Sequence, residues 1–401
     1  MNDRGKTTGM ALAATILSAS FLQTMASSAT SPVLSMIKAE FSEAAMSTVQ
    51  LTMTLPSVFI MLVSMFVTGL LKRFSLKTLT LSGILLYLAG GIGGIFVRSL
   101  LSLLILRSIM GIGLGLFCPM LSILISESFE GQQRTNMMGY LQSFNFLGGM
   151  AGTAIGGMLA ASGWRNAFWV YLFGVPAFVM AAVCIKDTGK QGPDKERGPQ
   201  AASAKAATPM ASWFLGIVMM LHGILLFKVP LSASTLFAGL GINDPGKSGM
   251  AVAVLYGGSF LAGLFMGTIR KILKRAAFPC ACLLLGLAFF LLAICASESY
   301  ILIGAFLLGF GSGVFAPMLY ALAPEMIPPQ AIPATMTILN AALYLGMFLS
   351  PYASVLIRSA GVDSPAFDFF TAVGCELVFA VIAAWLMFRK PSERAGSQTI
   401  S

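Results

Sequence analysis

Charge is what this sequence has least of. Only 10% of its 401 residues are charged while 57% are hydrophobic, a balance that a water-soluble domain does not carry. Histidine is nearly missing, with His222 alone. The six cysteines (Cys118, Cys184, Cys280, Cys282, Cys295 and Cys375) fall inside or at the edges of apolar stretches. Cys280-Ala-Cys282 lacks metal-ligand spacing and has no second cluster to complete a tetrahedron, so they read as small apolar packing residues and no metal site is expected. There is no glycine-lysine loop to cradle ATP phosphates, no nucleophile elbow and no dinucleotide fingerprint. The chain is therefore expected to be no enzyme and to need no cofactor. Nor is there a hydrophilic stretch long enough for a receptor-like ectodomain or a soluble signalling domain.

What fills the chain instead is a series of apolar runs, each about as long as the ~20 helical residues that cross a bilayer. They lie at roughly 10–32, 47–71, 76–97, 100–126, 136–161 and 166–186, then at 212–237, 248–269, 276–296, 299–323, 331–357 and 366–388. Continuous runs of this length point to helices rather than barrel strands, which alternate over about ten residues. The first run follows Arg4 and Lys6 but is too long for the apolar core of a secretory signal, and reads as a retained helix.

The two sets of six are built alike. Gly111-Ile-Gly113-Leu-Gly115-Leu-Phe-Cys-Pro119 returns 198 residues later as Gly309-Phe-Gly311-Ser-Gly313-Val-Phe-Ala-Pro317. At the same offset Gly69 meets Gly267, Pro32 meets Pro230, Gly148 meets Gly346 and Glu127 meets Glu325. Internal duplication of a hydrophobic chain is the mark of a transporter whose halves move against each other around a central site. The fold expected is an all-α membrane protein: twelve transmembrane helices in two pseudo-symmetric six-helix bundles, 1–186 and 212–401, joined by a hydrophilic linker at 187–211 that acts as a tether.

Lysine and arginine set the orientation. With the N-terminus inside, 18 of the 25 lie in cytoplasmic segments, five outside, and Arg107 and Lys228 within spans. The net charge of +10 is then topology and attraction to anionic lipid headgroups rather than a nucleic-acid patch. Both termini are expected in the cytoplasm of a protein integral to the cell membrane.

Three local patterns resemble the major facilitator superfamily. Gly69-Leu-Leu-Lys-Arg73-Phe-Ser-Leu-Lys77 is similar to that family's loop before the third helix, with Arg73 where an aspartate is usual. Arg107-Ser-Ile-Met-Gly111-Ile-Gly113 resembles its fourth-helix arginine motif. Gly148-Gly-Met-Ala-Gly152-Thr153-Ala-Ile-Gly156-Gly157 resembles the fifth-helix motif of its antiporters, with Thr153 where proline is usual; the second-half copy, Gly346-Met-Phe-Leu-Ser350-Pro351, keeps the proline. Gly163-Trp164-Arg165 is similar to the turn into helix six. The resemblance implies twelve helices with the first, fourth, seventh and tenth of them lining a cavity, and paired hinges at the glycine motifs. Glycine-rich helices also simply pack closely in lipid.

Ionisable groups inside a membrane are costly and point to function. Arg107 and Lys228 are expected to project into the cavity at similar depth, two cations without a nearby carboxylate that suit an anionic or zwitterionic ligand. Alternatively Arg107 pins a helix through backbone carbonyls, and Lys228 snorkels to the outer interface. Glu376 reads as the only acid deep in a span. It and His222 are candidates for proton coupling or for structural hydrogen bonding. A neutral polar stripe completes the candidate site, with Gln23, Ser27 and Thr30 on helix one, Gln142 and Asn145 on helix five, and Asn340 and Tyr344 on helix eleven. The function expected is alternating-access, proton-coupled efflux of a small organic molecule or drug. The alternatives are uptake of an organic anion by symport, and a transporter-shaped sensor without flux. Expected partners are the substrate, the proton and membrane lipids, with no nucleic acid and a monomeric state.

Overall fold

The computed structural model describes residues 3–185, 187, 209–359 and 365–388. Within them are twelve helical crossings long and apolar enough to span a membrane, and no strand. The first crossing is α1 (Asp3–Ser28), a single turn at Ser31–Val33 and α2 (Leu34–Glu40). It is followed by α3 (Met46–Leu71), α4 (Leu76–Ile92), α5 (Leu100–Ser128) and α6 (Gly131–Leu159). A ten-residue 3₁₀ run, Trp164–Phe173, and α7 (Gly174–Cys184) make the sixth crossing. The second half contains α8 (Met210–Gly239), α9 (Pro245–Leu273), α10 (Ala277–Ile294), α11 (Glu298–Met326), α12 (Ile332–Ser359) and α13 (Pro365–Phe388). Of the stretch 187–211, read as the tether, residues 188–208 lie outside the described residues, as does the tail after 388.

The helices start where side chains can satisfy free amides. The Ser75 hydroxyl accepts the Thr78 N–H at 3.2 Å, Ser99 accepts that of Ser102 at 3.2 Å, and Asp244 accepts that of Gly246 at 2.8 Å with Pro245 in the first turn, the usual chemistry of helix N-termini. Proline acts differently at equivalent places. At Pro32 the first crossing breaks into a 3₁₀ turn, while its repeat partner Pro230 is carried inside the unbroken α8.

Within each half the same pairs of helices pack. α1 lies on α6 as α8 lies on α12, α3 on α5 as α9 on α11, α4 on α5 as α10 on α11, and α4 on α7 as α10 on α13. The two halves meet along two seams, α3 with α12 and α6 with α9. Because α3 corresponds to α9 and α6 to α12, each seam is the image of the other under the 198-residue offset. Close approach is built from glycine, since lipid supplies no hydrophobic drive between helices. A methyl group on Gly148 would collide with the carbonyl of Phe21, and one on its partner Gly346 with the carbonyl of Met220. The two hydrophobic cores interlock across the seams. Phe227 and Leu231 of α8 are buried in the first core, and Tyr344 and Met347 of α12 pack against it. Phe146 and Met150 of α6 pack against the second.

Candidate functional site

The halves are closed upon each other at the end remote from the linker. The Ser31 hydroxyl donates to the carbonyl of Pro230, and Gln50 Nε2 donates to the carbonyl of Leu231 at 3.2 Å. Gly249 approaches the carbonyl of Thr153, and Gly157 that of Pro245, so closely that added methyl groups would stand 2.6 and 2.8 Å from the two oxygens. The same end of the first half is clamped by Glu40, which accepts from Arg165 at 2.6 Å and from Trp164 Nε1 at 2.5 Å. Gly163, with φ 136°, makes the turn that brings those two donors round; few residues with a side chain adopt that backbone.

Deeper, a polar cluster bridges the halves. Gln23 Nε2 donates to the Tyr344 hydroxyl at 3.0 Å, from α1 to α12. Asn145 Oδ1 accepts both the backbone N–H (2.9 Å) and the hydroxyl of Thr24, and its Nδ2 reaches Gln142 Oε1 at 3.5 Å. Tyr320 of α11 donates to Asn340 Oδ1 at 3.0 Å. Tyr256 of α9 faces Gly149 of α6 across the second seam. Gln142 and its repeat partner Asn340 are exposed, and they lie nearest the linker-side starts of α6 and α12. The contacts that close the halves upon each other thus lie at the end remote from the linker, and the exposed members of the polar cluster lie toward the linker end. The side chains that meet there are neutral, and amide and hydroxyl groups set in an apolar wall are suited to orienting a modest-sized organic molecule.

Of the expected polar stripe, Gln23, Gln142, Asn145, Asn340 and Tyr344 come together in this cluster. Ser27 and Thr30 do not join it through their hydroxyls, which donate to the carbonyls of Thr24 (3.4 Å) and Ser27 (3.0 Å) on their own helix. Thr30 is moreover fully buried at the sealed end. Thr24, Tyr256 and Tyr320 were missed. Thr24 is one residue from Gln23 and was legible as polar, whereas the two tyrosines acquire a role only from the helices opposite them.

The two buried cations depart from the expectation most. Arg107 has no exposed surface. Its guanidinium lies 4.5 Å from the centre of the Phe168 ring and 5.0 Å from that of Tyr171, and donates to the Tyr171 hydroxyl at 2.8 Å. Tyr171 in turn donates to the Ala26 carbonyl at 2.8 Å. The cation is held fully buried inside the first bundle by ring faces. The 3₁₀ run explains this box: with three residues per turn, Phe168 and Tyr171 eclipse and stack at 6.0 Å and 20°.

Lys228 is likewise buried, but it has a carboxylate partner. Its Nζ donates to Asp368 Oδ1 at 2.7 Å, and a longer contact of 3.5 Å reaches Ser354 Oγ. The expectation of two cations without a nearby carboxylate is therefore corrected for Lys228. Asp368 stands in the first turn of α13, at the edge of the expected span 366–388. Only the fold brings it against α8, 140 residues away.

Glu376 and His222 both lie inside the second bundle. Glu376 is fully buried with neither carboxyl oxygen hydrogen-bonded, and it faces Gly286 of α10. His222 stacks on Phe315 at 4.1 Å and 15°, and its Nδ1 has no partner. Neither is among the residues that form the polar cluster. The glycine motifs serve close packing: methyl groups added to Gly111, Gly152 and Gly156 would stand 2.7 Å from the Pro56 carbonyl, 2.8 Å from Ser28 Oγ and 3.1 Å from the Ala29 carbonyl. Gly69 has open space around it and Arg73 is exposed. Pro351 is buried within α12, beside the ion pair.

Comparison with known proteins agrees with this architecture. The family profile described as Major Facilitator Superfamily matches the chain twice, over residues 16–243 and 215–400. The chain is 24% identical over 391 residues to the methylenomycin A resistance protein of Streptomyces coelicolor, covering 82% of each chain. It is also 30% identical over 119 residues to the multidrug transporter protein MdtP of Bacillus subtilis, a match spanning 29% of this chain and only 21% of that relative's length.

Proposed function

Because the chain belongs to the Major Facilitator Superfamily, we propose that it is a secondary transporter of the cell membrane that exports a small organic molecule or drug by alternating access, in exchange for protons. The observation that carries this reading is that symmetric halves are closed upon each other at the end remote from the linker and bridged by neutral polar side chains with exposed members toward the other end, which we read as the wall of a cleft. With the linker end in the cytoplasm, as the distribution of lysine and arginine favours, that cleft receives its substrate from inside. Release follows when the halves rock, opening the seal around Ser31 and Pro230 and closing the wall around Gln142 and Asn340. The names of the two relatives support export of a drug-like molecule. Proton exchange is supported by Glu376, a buried carboxyl group without a partner in a chain that has no ATP-binding loop.

Uptake of an organic anion loses its premise. Lys228 is already neutralised by Asp368, and Arg107 is enclosed by rings, so neither stands ready to clamp an anion in the cleft.

Flux in proteoliposomes tests the proposal. An imposed pH gradient should drive a cationic or neutral fluorescent drug in the direction opposite to the proton, and collapsing the gradient should stop it. Glu376→Gln should abolish the gradient-driven component while equilibrium binding of the drug persists. Drug movement unchanged by the gradient, or by Glu376→Gln, would remove proton exchange from the mechanism, and no flux of any tested drug would remove export itself.

A further inference from the structure

The sealed end contains a second pocket, distinct from the cleft. It has a volume of about 290 Å³ and opens at the seam between α3 and α12. Ser47 and Gln50 of the first half form one wall, Ser232, Thr235 and Ser354 of the second half form another, and the Lys228–Asp368 pair lies among the lining groups. The side chain of Lys228 is 4% exposed and that of Asp368 11%. A buried ion pair is a poor source of stability by itself, since apolar replacements of the same shape often do as well. Here it faces a pocket, which gives it a second use.

The charges of the pocket sum to zero, and that restricts its occupant. A lone organic cation bound to Asp368 would compete with Lys228, and a lone anion bound to Lys228 would compete with Asp368; either leaves a net charge in a poorly solvated place. A molecule with both an ammonium and an acid group meets neither penalty. Its ammonium would sit on the Asp368 oxygen not used in the salt bridge, and its acid on the remaining N–H of Lys228. Four charges of alternating sign would then close a ring. The hydroxyl and amide groups of Ser47, Gln50 and Thr235 would surround its polar end, and Leu231, Leu236 and Phe369 its chain. The volume lies just under the roughly 300 Å³ at which small-molecule clefts usually begin, which sets the scale at an amino acid rather than a drug.

We propose that this pocket binds a small, net-neutral zwitterion carrying a primary ammonium and an acid group, either a free solute or the headgroup of a phosphatidylethanolamine lipid. The site is separate from the cleft, so it does not depend on export being the function. Binding of radiolabelled L-norleucine to the full-length protein tests it, in discs of phosphatidylcholine, whose quaternary ammonium has no N–H to donate. Hexylamine and hexanoate serve as competitors. Saturable norleucine binding that neither competitor displaces is expected. Ser47→Trp, which fills the pocket without touching the ion pair, should weaken it at least tenfold while leaving the melting temperature unchanged. Repeating the titration in phosphatidylethanolamine discs separates the two sources: weaker norleucine binding there assigns the pocket to the headgroup as well, and equal binding assigns it to solutes. No saturable binding in phosphatidylcholine discs, displacement by hexylamine or hexanoate at equal concentration, or full binding by Ser47→Trp would each overturn the proposal. Drug flux measured on the same preparation reports independently on the cleft.

Discussion

The two halves of this chain share their backbone packing and differ in their buried chemistry. The first half buries Arg107 in a box of rings; the equivalent of Arg107 in the second half is Ala305. The second half buries Lys228, Asp368, Glu376 and His222, where the first has Thr30, Val170, Phe178 and Thr24. What the repeat preserved is the set of close approaches that no larger side chain allows, Gly148 on Phe21 and Gly346 on Met220. What it released are buried positions away from those approaches, some inside one half, as with Glu376 and His222, and some beside a seam, as with Lys228 and Asp368. Symmetry therefore belongs to the packed scaffold, while the buried Lys228–Asp368 pair and the unpartnered Glu376 belong to one half.

The sharpest way to break this comparison is at the shared glycines. Gly148→Val and Gly346→Val should each prevent recovery of monodisperse protein in detergent, because the obstacle is a neighbouring helix backbone rather than a side chain that can turn aside; overpacking a core that can adjust costs about 1–3 kcal/mol, and here adjustment is blocked. Tolerance in one half alone, seen by size-exclusion chromatography, would show that the α1–α6 and α8–α12 contacts are not equivalent.

The next effect concerns the unshared ion pair. Lys228→Met or Asp368→Leu alone should lower stability by about 3–5 kcal/mol by stranding a buried charge, whereas the double replacement should return close to the parent. Chemical unfolding in detergent gives the double-mutant cycle. A loss in the double equal to the sum of the two single losses would mean that the pair is not coupled.

Smaller again is the ring box of the first half. Arg107→Lys keeps the charge but loses the planar face over Phe168 and the fixed reach to Tyr171, at about 1–2 kcal/mol. The drop in melting temperature should be similar with and without drug. A loss confined to drug binding would instead place the arginine at the cleft. The smallest expected effect is at the bridge between halves. Tyr344→Phe should lose about 0.5–1 kcal/mol, leave the fold intact, and, if the halves rock as proposed, shift the balance between the two states by a few-fold. Accessibility of a cysteine placed at Gln142 would report that shift.

Much of this was readable along the chain. The twelve crossings, the 198-residue repeat and the separation into halves follow from run length and from residues recurring at one offset. The neutral cluster was largely legible too, since Gln23, Gln142, Asn145, Asn340 and Tyr344 stand out as polar in apolar helices. The sixth crossing was expected as a plain helix over 166–186, and its 3₁₀ start, on which the Arg107 box depends, gave no signal in apolar periodicity. Asp368 was passed over because it stands at the edge of a span, where an acid ordinarily meets water. Thr30 was placed on the cavity stripe by helical spacing, but Pro32 breaks that helix just beyond it, and the hydroxyl donates back to its own backbone.

Composition and periodicity alone determined that the chain lives in lipid, crosses it twelve times and was assembled from two copies of one plan, because bilayer thickness and helix rise leave a stretch of that length and polarity no other resting place. Which buried charge meets which partner was decided only by tertiary structure. A single helix face carries several polar groups, and whether one of them finds a ring, a carboxylate or nothing at all depends on what a neighbour contributes from 64 positions away, as with Arg107 and Tyr171, or 140, as with Lys228 and Asp368.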